Sequence, residues 1–561
     1  MATNPMQKKA RNSFILGVLI TFIIMALIVA YLFLQMKKLQ DEQAKMAANY
    51  VKVCILKSDV VSGQIITSDL ITTKEVDKNT VPSNGTATIT NLTNYLTNEY
   101  NNEHIAIISE NSYNYIVLFF SIIISNNIAV LIDKDLDEES IKKLLKQSDN
   151  KVLYYSKNHC DLERIIKKYK SYEIDNVLDI PKLNKKETKK KCKESVLFFT
   201  SGTTGANKCV MLSEENILSD IYGACSIFKP NGDVFACLPF HHAFGLITSI
   251  LKPFFYNETI FINNSLKTIL TDLKISKPNT MFVVPTFIET FYKQIWKNAK
   301  KNKKTHLLKS MIKTSKMLLK IGIDLRKQLF KSIHNSFGGN IEYIICGGAY
   351  LDPKYIIFFR SIGINILNGY GITECSPVVA VNRNHYYRDG SVGQIVKGAE
   401  IKIKENEILV KGKMVMLGFY KDKKATDEVL KDGYFHTGDF GYIDKDGFLF
   451  ITGRKKNLII LSNGENISPE VIEEELSHDE AVSEIIVYEN NNKLLAEIYP
   501  REEYLGNKSY FDDLIYKYNS KVPKNHQIAL VTLRNNEFPK NNNKKILRNK
   551  FMEEKYGKGN N

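Results

Sequence analysis

Hydrophobic and polar positions divide this chain into one long apolar segment near its start and a body of short apolar runs. Residues 14–34 are uncharged throughout, and as a helix they would extend about 31 Å, enough to cross a bilayer. The alternative is a cleaved signal peptide, but the run is long for one and no small-residue cleavage motif follows it. We therefore predict a transmembrane helix over 14–35, behind a tail at 1–13.

The pattern then changes to a short polar helix over 36–50 and to alternating strands between residues 51 and 88. Strands are predicted at 51–56 and 62–66. Residues 57–70 and the later Val81-Pro82 resemble the SAF (β-clip) domain of pilus-assembly membrane proteins. In that family the module follows a single anchor. The resemblance predicts that residues 36–90 contain a juxtamembrane helix and a short β-rich SAF-like module.

From residue 91 onwards, strand patterns alternate with helix patterns. Apolar runs at 104–108 and 128–132 predict buried strands, residues 116–123 predict an apolar helix, and residues 138–147 predict an amphipathic helix. Strands that alternate with helices are typical of a parallel sheet covered on both faces. The sequence therefore predicts an α/β fold for the body of the chain.

A loop rich in hydroxyls and glycines follows the apolar run 196–199. It consists of Thr200, Ser201, Gly202, Thr203, Thr204 and Gly205 and is followed by Lys208. Glycines let a backbone approach a ligand closely, and hydroxyls and a lysine suit phosphate oxygens. The spacing differs from that of the common nucleoside-triphosphatase loop. A single loop of this kind is more often a solvated turn, so its interpretation depends on the motifs that follow.

Two further apolar runs end in glycine-containing loops. Residues 344–346 precede Gly347, Gly348 and Ala349, and residues 366–368 precede Gly369, Tyr370, Gly371, Thr373 and Glu374. Ligands of parallel α/β sheets gather at the carboxyl ends of strands, so we expect these loops to share one cleft with the Thr200 loop. The Gly347 loop lets a flat base lie against the backbone, and Tyr370 can stack on that base. Thr373 can donate to phosphate, and Glu374 offers the hard oxygen that Mg²⁺ prefers.

Asp439 and two histidines complete the candidate chemistry. Asp439 follows a glycine turn, where a carboxylate can accept two ribose hydroxyls, and the alternative is an ordinary turn aspartate. His241 and His242 stand beside a proline turn and between aromatic residues. Taken alone, such a pair is best explained as a capped turn packed on the core.

Charge and cysteine content exclude several functions. The formal net charge is +16, but the lysines are scattered along the chain, so we predict no nucleic-acid partner. Residues 297–336 predict amphipathic surface helices, with a membrane-facing patch as the alternative. The eight cysteines show no Cys-x-x-Cys pair and no metal spacing. They indicate neither a zinc site nor a disulfide framework, and they favour a reducing compartment.

In this order, the motifs resemble the adenylate-forming (AMP-binding) superfamily over roughly residues 95–552. They are most like long-chain acyl-CoA synthetases at 369–377, 391–394, Asp439 and 464–470. The resemblance implies an AMP-forming acid–thiol ligase that uses ATP, Mg²⁺ and CoA. The carboxylate of a medium or long fatty acid would attack the α-phosphate, and the thiol of CoA would then take the acyl group. An acyl carrier protein is the alternative acceptor.

The resemblance also implies domains and residue roles. A large adenylation domain would occupy 91–455, and a small, mobile α+β domain would occupy 456–561 with its hinge at Asn457. Lys545, Thr200 and Glu374 would be catalytic, Glu374 would bind the metal, and His241 and His242 would face the carboxylate substrate. The implied ATP site consists of Thr200, Ser201, Gly202, Thr203, Thr204, Gly205, Lys208, Gly347, Gly348, Ala349, Gly369, Tyr370, Gly371, Thr373, Asp439 and Arg454.

Three positions depart from the family pattern, namely Cys209, Asn457 and Lys544. They favour the alternative hypothesis of a decayed ligase domain that serves as a membrane scaffold. The retained motifs favour an active enzyme.

The two ends of the chain predict opposite sides of a membrane. A SAF-like module suggests the outside face, whereas ATP, CoA and unpaired cysteines require the cytoplasm, and a single span places everything after residue 34 on one side. The ligase motifs cover more of the chain, so we predict a single-pass membrane protein with a cytoplasmic catalytic domain. An abrupt junction near Leu92 leaves open that two reading frames were joined.

Overall fold

A computed structural model describes most of the chain beyond residue 86. The described residues are 50–56, 71–77, 87–157, 165, 167–177, 193–201, 207–228, 232–263, 265–461, 466–540 and 546–557. They fall into two compact units, Met1–Thr88 and Ile89–Asn561. Among the helices within these ranges, none has the length and apolar character that a membrane span requires. The predicted transmembrane helix over 14–35 lies outside the described residues.

The described part of the first unit is one antiparallel strand pair. Strand β1 (Tyr50–Leu56) pairs with β2 (Ile71–Asp77), and Leu56 lies opposite Ile71. The strand predicted at 51–56 is confirmed. The strand predicted at 62–66 lies outside the described residues, and the SAF-like resemblance stays a prediction.

The second unit begins with helices packed on a mostly parallel sheet. Its helices are α1 (Ala87–Glu99), α2 (Tyr113–Ile124), α3 (Glu138–Gln147) and α4 (Glu214–Ile227). Its strands are β3 (His104–Ile108), β4 (Ile128–Leu131), β5 (Val152–Tyr155), β6 (Lys170–Glu173), β7 (Val196–Ser201) and β8 (Asn207–Leu212), with β18 (Gly418–Phe419) joining from later in the chain. The order is β18-β8-β7-β4-β3-β5-β6, and the five strands from β7 to β6 run parallel.

A second, larger sheet follows. Its strands are β9 (Val234–Ala236), β10 (Ile260–Ile262), β11 (Thr280–Val283), β12 (Tyr343–Cys346), β13 (Asn365–Gly371), β14 (Val378–Val381), β15 (Gly393–Ile395), β16 (Glu400–Lys404), β17 (Glu407–Lys411), β19 (Leu430–Lys431), β20 (Tyr434–Ile443) and β21 (Phe448–Arg454). The order is β10-β9-β11-β12-β13-β14-β15-β21-β20-β17-β16, with β19 beside β20. The strands from β10 to β13 are parallel, and the remainder pair antiparallel.

The helices of this region cover the parallel half of the sheet. They are α5 (Ala243–Leu246), α6 (Lys252–Phe255), α7 (Ile269–Ser276), α8 (Pro285–Lys301), α9 (Thr305–Lys320), α10 (Arg326–Leu329), α11 (Lys331–Ser336) and α12 (Pro353–Ser361). Helix α13 (Lys423–Val429) contacts β18, β19 and β20 instead. A π-helical turn, Ile247–Leu251, joins α5 to α6. Such turns are rare and are often found at functional sites.

The carboxyl-terminal part has a small core of its own. It contains β22 (Ile459–Ile460), β23 (Asn466–Ile467), α14 (Pro469–Ser477), β24 (Val482–Asn490), β25 (Lys493–Pro500), α15 (Lys508–Asn519), β26 (Ile528–Leu533) and α16 (Arg548–Tyr556). Strands β24, β25 and β26 form one sheet, and Ile472, Ile498 and Phe511 belong to a separate buried cluster. Helices and strands are mixed here, in agreement with the predicted α+β character.

Hydrophobic spacing explains why the predicted elements form. Helix α3 buries Ile141, Leu144 and Leu145, three apolar residues three and four positions apart, and its Asp137 side chain accepts the Ser140 amide at 2.9 Å. Strand β4 is buried along its whole length, as a parallel strand covered on both faces must be. The predicted α/β class is therefore confirmed.

Candidate active site

The predicted glycine loops come together at the ends of neighbouring parallel strands. A Cβ atom placed on Gly347, after β12, would lie 3.3 Å from the Phe244 ring and 3.5 Å from the Gly369 oxygen in β13. A Cβ atom on Gly371 would lie 2.0 Å from the Pro377 oxygen, a separation that no side chain can adopt. Glycine is thus required at Gly371, and Phe244, which follows the histidine pair, lies beside the Gly347 loop.

Asp439 is the centre of a hydrogen-bonded cluster. It lies opposite Arg454 in the β20–β21 register, and the Arg454 Nε contacts its Oδ1 at 2.8 Å. The Tyr370 hydroxyl donates to its Oδ2 at 2.6 Å. Both carboxylate oxygens therefore already have a donor, and each keeps a second lone pair for a ligand.

The surroundings of Asp439 differ from the polar turn that the sequence predicts. The residue lies within strand β20 and is only 3% exposed. Gly438 has a positive φ of 68°, which permits a local bend without ending the strand. The alternative of an ordinary turn aspartate is therefore wrong. Tyr370 was predicted to stack on a base, and this role stays a prediction beside its observed bond to Asp439.

Glu374 brings charges from both sheets together. It lies in the 3₁₀ turn Thr373–Cys375 after β13, and the Met416 amide donates to its backbone oxygen at 2.8 Å. Burial raises the pKa of the Glu374 carboxyl above its ordinary value, the positive charges of Lys208 and Arg454 oppose that increase, and the negative charge of Asp439 adds to it. Two cations and two carboxylates thus act on one another within this site.

Thr200 and Lys208 face each other across the β7–β8 pair. The Lys208 ammonium lies 4.5 Å from the centre of the Phe419 ring, a separation that allows a cation–π interaction. Thr200 is followed by Ser201, whose backbone ends strand β7. Residues Gly202, Thr203, Thr204 and Gly205 lie outside the described residues.

Cys209, the first departure from the family pattern, has a structural explanation. Its side chain is 1% exposed and packs in an apolar cluster with Leu197 and Ile128. Burial raises the pKa of its thiol to about 12, so the group behaves as a small hydrophobic side chain. The residue that departs from the family pattern therefore lies in the core behind the loop.

Of the two histidines, His241 is the buried one. It is 9% exposed, its ring centre lies 4.2 Å from that of His242, and His242 precedes α5. The His241 Nε2 is buried without a hydrogen-bond partner among the described residues, and it lies 3.6 Å from the Asp133 Oδ1. Burial first, and then the nearby His242, lower the pKa of His241 to about 3. His241 is therefore a neutral imidazole at physiological pH.

Two polar residues support this loop although sequence reasoning did not select them. The Asn111 side chain donates to the Leu238 oxygen at 2.8 Å and accepts the Phe240 amide at 2.9 Å. Asp133 follows β4 and faces His241. Each stands just after a buried strand of the first sheet, and a position at the carboxyl end of a strand would have identified both as candidate site residues.

The predicted hinge lies where the second sheet ends. Asn457 closes a 3₁₀ turn, Lys455–Asn457, and its amide contacts the Glu470 Oε1 at 2.5 Å. Helix α14 begins at Pro469, and the Ser468 hydroxyl in front of it does not cap it. That hydroxyl donates instead to the Thr452 oxygen at 3.0 Å. Lys544 and Lys545 lie outside the described residues.

The donor set at Glu374 suits one kind of metal site. Within the ranges that the structure covers, no three histidine, cysteine or acidic side chains gather to hold an ion. Mg²⁺ differs from zinc because one or two carboxylates together with substrate phosphates are sufficient to hold it. The partly buried Glu374 carboxylate, on which the charge of Lys208 acts, therefore fits magnesium bound with a polyphosphate.

Solved structures with the same fold are known. The o-succinylbenzoate CoA synthetase (MenE) from Bacillus subtilis, in complex with the acyl-adenylate intermediate OSB-AMP, matches with a TM-score of 0.67 at 20% identity, over 83% of this chain and 91% of that one. The ATP-bound RpMatB-BxBclM chimera B1 matches with a TM-score of 0.69 at 20% identity, over 84% and 92%. At these identities the likeness establishes the fold alone.

Curated proteins are similar over part of the chain. The long-chain-fatty-acid–CoA ligase FadD15 of Mycobacterium bovis is 30% identical over 311 residues, which cover 52% of this chain and 52% of that protein. The long-chain-fatty-acid–CoA ligase 5 of Mus musculus is 31% identical over 319 residues, which cover 52% and 47%. The chain thus spans about half the length of the curated relatives it matches.

The family model described as AMP-binding enzyme matches residues 87–420, more than half of the chain. The matched residues include the first sheet, the second sheet as far as β17, and the strand ends that carry Lys208, His241 and Glu374. The protein belongs to the AMP-binding enzyme family.

Proposed function

We propose that this protein is an AMP-forming, ATP-dependent carboxylate–CoA ligase that acts on a medium- or long-chain fatty acid. The observation that carries the proposal is the convergence of Lys208, Glu374, Asp439 and Arg454 at the strand ends. A buried, neutral His241 in the loop after β9 is the proposed substrate contact. Charged groups suit a nucleotide, and a buried, uncharged imidazole suits the acid substrate. The names of the curated relatives support a long-chain substrate.

The nucleotide would bind across the strand ends. Asp439 would accept the ribose hydroxyls with its free lone pairs, while Arg454 and Tyr370 hold the carboxylate in place. The backbone of Gly347, Gly348 and Ala349 would face the base. Hydroxyls from Thr200 to Thr204, the amides of that loop and Lys208 would bind the phosphates.

The first step would join the acid to the α-phosphate. A carboxylate oxygen attacks phosphorus, the bond to pyrophosphate breaks, and an acyl-adenylate forms. Lys545 would stabilise the charge that develops in this step. Mg²⁺, when bound through Glu374, supplies Lewis-acid neutralisation of the phosphate oxygens.

The second step would move the acyl group to sulfur. The thiol of CoA attacks the acyl carbon, and AMP leaves. Rotation of the carboxyl-terminal domain about Asn457 would exchange the residues that face the intermediate and exclude water from it. An acyl carrier protein is a second candidate acceptor, because nothing in the proposed chemistry requires the nucleotide part of CoA.

The predicted anchor adds a location to the proposal. A helix over 14–35 would hold the catalytic body at the cytoplasmic face of a membrane, where fatty acids partition. Protease added to intact cells should then leave the chain after residue 88 uncut. A chain that begins at residue 91 and keeps full activity would reduce the anchor to a tether, and would be the expected result if two reading frames were joined.

The competing hypothesis is a decayed domain that serves as a scaffold. Asn457 and Lys544 still favour it, whereas the core position of Cys209 removes one of its three supports. The two hypotheses differ in turnover. Purified protein given ATP, Mg²⁺, CoA and palmitate should release AMP, pyrophosphate and palmitoyl-CoA in equal amounts. Without any acid-dependent pyrophosphate release, the ligase proposal would fail.

A further inference from the structure

Basic side chains are concentrated in the helices that follow β11. Between Lys293 and Asn340 the chain has thirteen basic residues and one acidic residue, so these 48 residues contribute +12 to the formal net charge of +16. The segment therefore departs from the even scatter of lysines along the rest of the chain. A charge of this density creates a local field that attracts anions.

The end of α9 adds exposed apolar side chains to this field. Met317 is 64% exposed, Ile321 is 67% exposed, and Ile323 and Leu325 are also exposed. Large aliphatic groups normally lie in a core, and isolated exposed ones need no explanation. Here four fall within nine residues, at the end of one helix and in the loop behind it.

The local backbone holds these side chains outside the core. Helix α9 directs Leu308 and Ser315 inward, and it ends in a turn in which the Gly322 amide bonds to the Leu319 oxygen and the Ile323 amide to the Leu318 oxygen. Gly322 has a φ of 80° and open space around it. This Schellman-type cap turns the chain sharply and leaves the apolar side chains in solvent.

Four lysines stand near these apolar residues along the chain, and within the described residues none of the four forms an ion pair. Lys313, Lys316, Lys320 and Lys327 are exposed. The one acidic residue of the segment, Asp324, is bound by the Arg326 guanidinium, with an Nε distance of 2.9 Å. We name the exposed residues together the α9 tip: Lys313, Lys316, Met317, Lys320, Ile321, Ile323, Leu325 and Lys327.

The composition of the α9 tip distinguishes between anionic partners. Surfaces that bind nucleic acid combine lysine and arginine with aromatic side chains that stack on bases, whereas the exposed apolar groups here are aliphatic. Aliphatic side chains amid lysines suit the boundary between lipid headgroups and acyl chains, where both parts are satisfied at once. We propose that the α9 tip docks the catalytic unit on an anionic lipid bilayer.

The proposal can be tested in the full chain by tryptophan fluorescence, because the chain has a single tryptophan. In a Trp296→Phe background, Ile321→Trp places a reporter at the α9 tip. Leu530→Trp, at a 54% exposed position on β26, places the matched control elsewhere. Each variant is reconstituted into vesicles of phosphatidylglycerol with brominated phosphatidylcholine. We expect quenching of the tryptophan at 321 and none at 530. Any membrane anchor acts equally in both variants, so equal quenching would overturn the proposal.

Charge reversal gives the second arm. Lys313→Glu with Lys316→Glu and Lys320→Glu should abolish quenching at 321, and so should salt, because exposed charges are screened beyond roughly 10 Å at 0.1 M. The same charge reversal at the exposed Lys402, Lys404 and Lys424 should leave the quenching at 321 unchanged. Quenching that survives the first triple, or that persists in purely zwitterionic vesicles, would contradict docking by charge.

A third measurement needs no substitution. Hydrogen exchange of the amides of residues 317–325 in the wild-type chain should slow in anionic vesicles and stay unchanged in zwitterionic ones. If homopolymer RNA protects these amides and lipid has no effect, the partner of the α9 tip is a nucleic acid, and the proposal is overturned.

Discussion

The candidate site has a part around Asp439, called the nucleotide side after its proposed ligand, and a part around His241, called the histidine side. The two differ in how their polar groups are satisfied. On the nucleotide side, both oxygens of Asp439 have donors, from Arg454 and from Tyr370. On the histidine side, the Nε2 of His241 is buried without a partner among the described residues. A buried polar atom without a partner costs free energy, whereas a satisfied one costs little. We therefore expect the Asp439 side to be preorganised for the proposed nucleotide, and the His241 side to gain a partner when the proposed substrate binds.

The largest effect is expected from the charge that the family resemblance assigns to Lys545. Lys545→Ala should slow adenylate formation by about 10²-fold or more, the scale of removing one electrostatic group. Thioester formation from supplied acyl-adenylate should be preserved. Separate assays of the two half-reactions measure this, with Lys544→Ala as the matched control. Equal loss in both steps, or a loss confined to Lys544→Ala, would show that the assignment is wrong.

Asp439→Ala removes the carboxylate at the centre of the nucleotide side. It removes the proposed ribose acceptor and leaves Arg454 and Tyr370 without their shared partner, so ATP affinity should fall by about 10²-fold, as for two lost hydrogen bonds to a charged group. Calorimetric titration with ATP measures the change, and Asp444→Ala, in the turn after β20, serves as the control. Because Asp439 is buried, some loss of stability should accompany the loss of affinity. Unchanged ATP affinity would contradict the assigned role.

Glu374→Gln tests the carboxylate on which the charges of Lys208, from the first sheet, and Arg454, from the second, both act. The substitution keeps the shape and removes the charge that would hold Mg²⁺, so the Mg²⁺ concentration for half-maximal rate should increase about tenfold or more. Glu374→Asp should recover part of the affinity. A Mg²⁺ dependence that is identical in Glu374→Gln and the wild type would assign the metal to other groups.

Tyr370→Phe sharpens the comparison by removing one donor from Asp439. We expect ATP affinity to fall only about tenfold, because one hydrogen bond to a charged group is lost while the ring is kept. Tyr370→Leu removes the ring as well. If stacking on the base contributes, Tyr370→Leu should bind ATP more weakly than Tyr370→Phe in the same titration, and equal affinities would exclude stacking.

His241 should make the histidine side sensitive to acid. Its folded-state pKa of about 3 lies below the ordinary 6.5, so between these pH values the unfolded chain binds more protons and the folded state loses stability as pH falls. From pH 7.5 to 5.5 the loss from this group is about 1.4 kcal/mol. Urea unfolding of His241→Gln should therefore depend less on pH than that of the wild type. His306→Gln, at an exposed position, should not change the dependence, and an unaltered slope in His241→Gln would contradict a buried neutral imidazole.

Local patterns were sufficient to predict the elements but not all of their surroundings. The bounds of α3 follow from apolar spacing and from Asp137, and the parallel strands follow from continuous apolar runs. The burial of Asp439 does not follow from a local pattern. It depends on the pairing of β20 with β21, which brings Arg454 to Asp439 and which the residues around Asp439 do not reveal. Asn111 and Asp133 were missed for a related reason. Each acts on a loop more than a hundred residues away, through the packing of one sheet against the other.

The formation of an acyl-adenylate is tested most directly by following the carboxylate oxygen. Fatty acid labelled with ¹⁸O in its carboxyl group is converted with ATP, Mg²⁺ and CoA, and the nucleotide and phosphate products are analysed by mass spectrometry. If a carboxylate oxygen attacks the α-phosphate, that oxygen leaves with the nucleotide when sulfur takes the acyl group, so each AMP should contain one labelled atom and pyrophosphate none. Acyl-CoA formed with unlabelled AMP, or with label in a free phosphate product, would contradict the account.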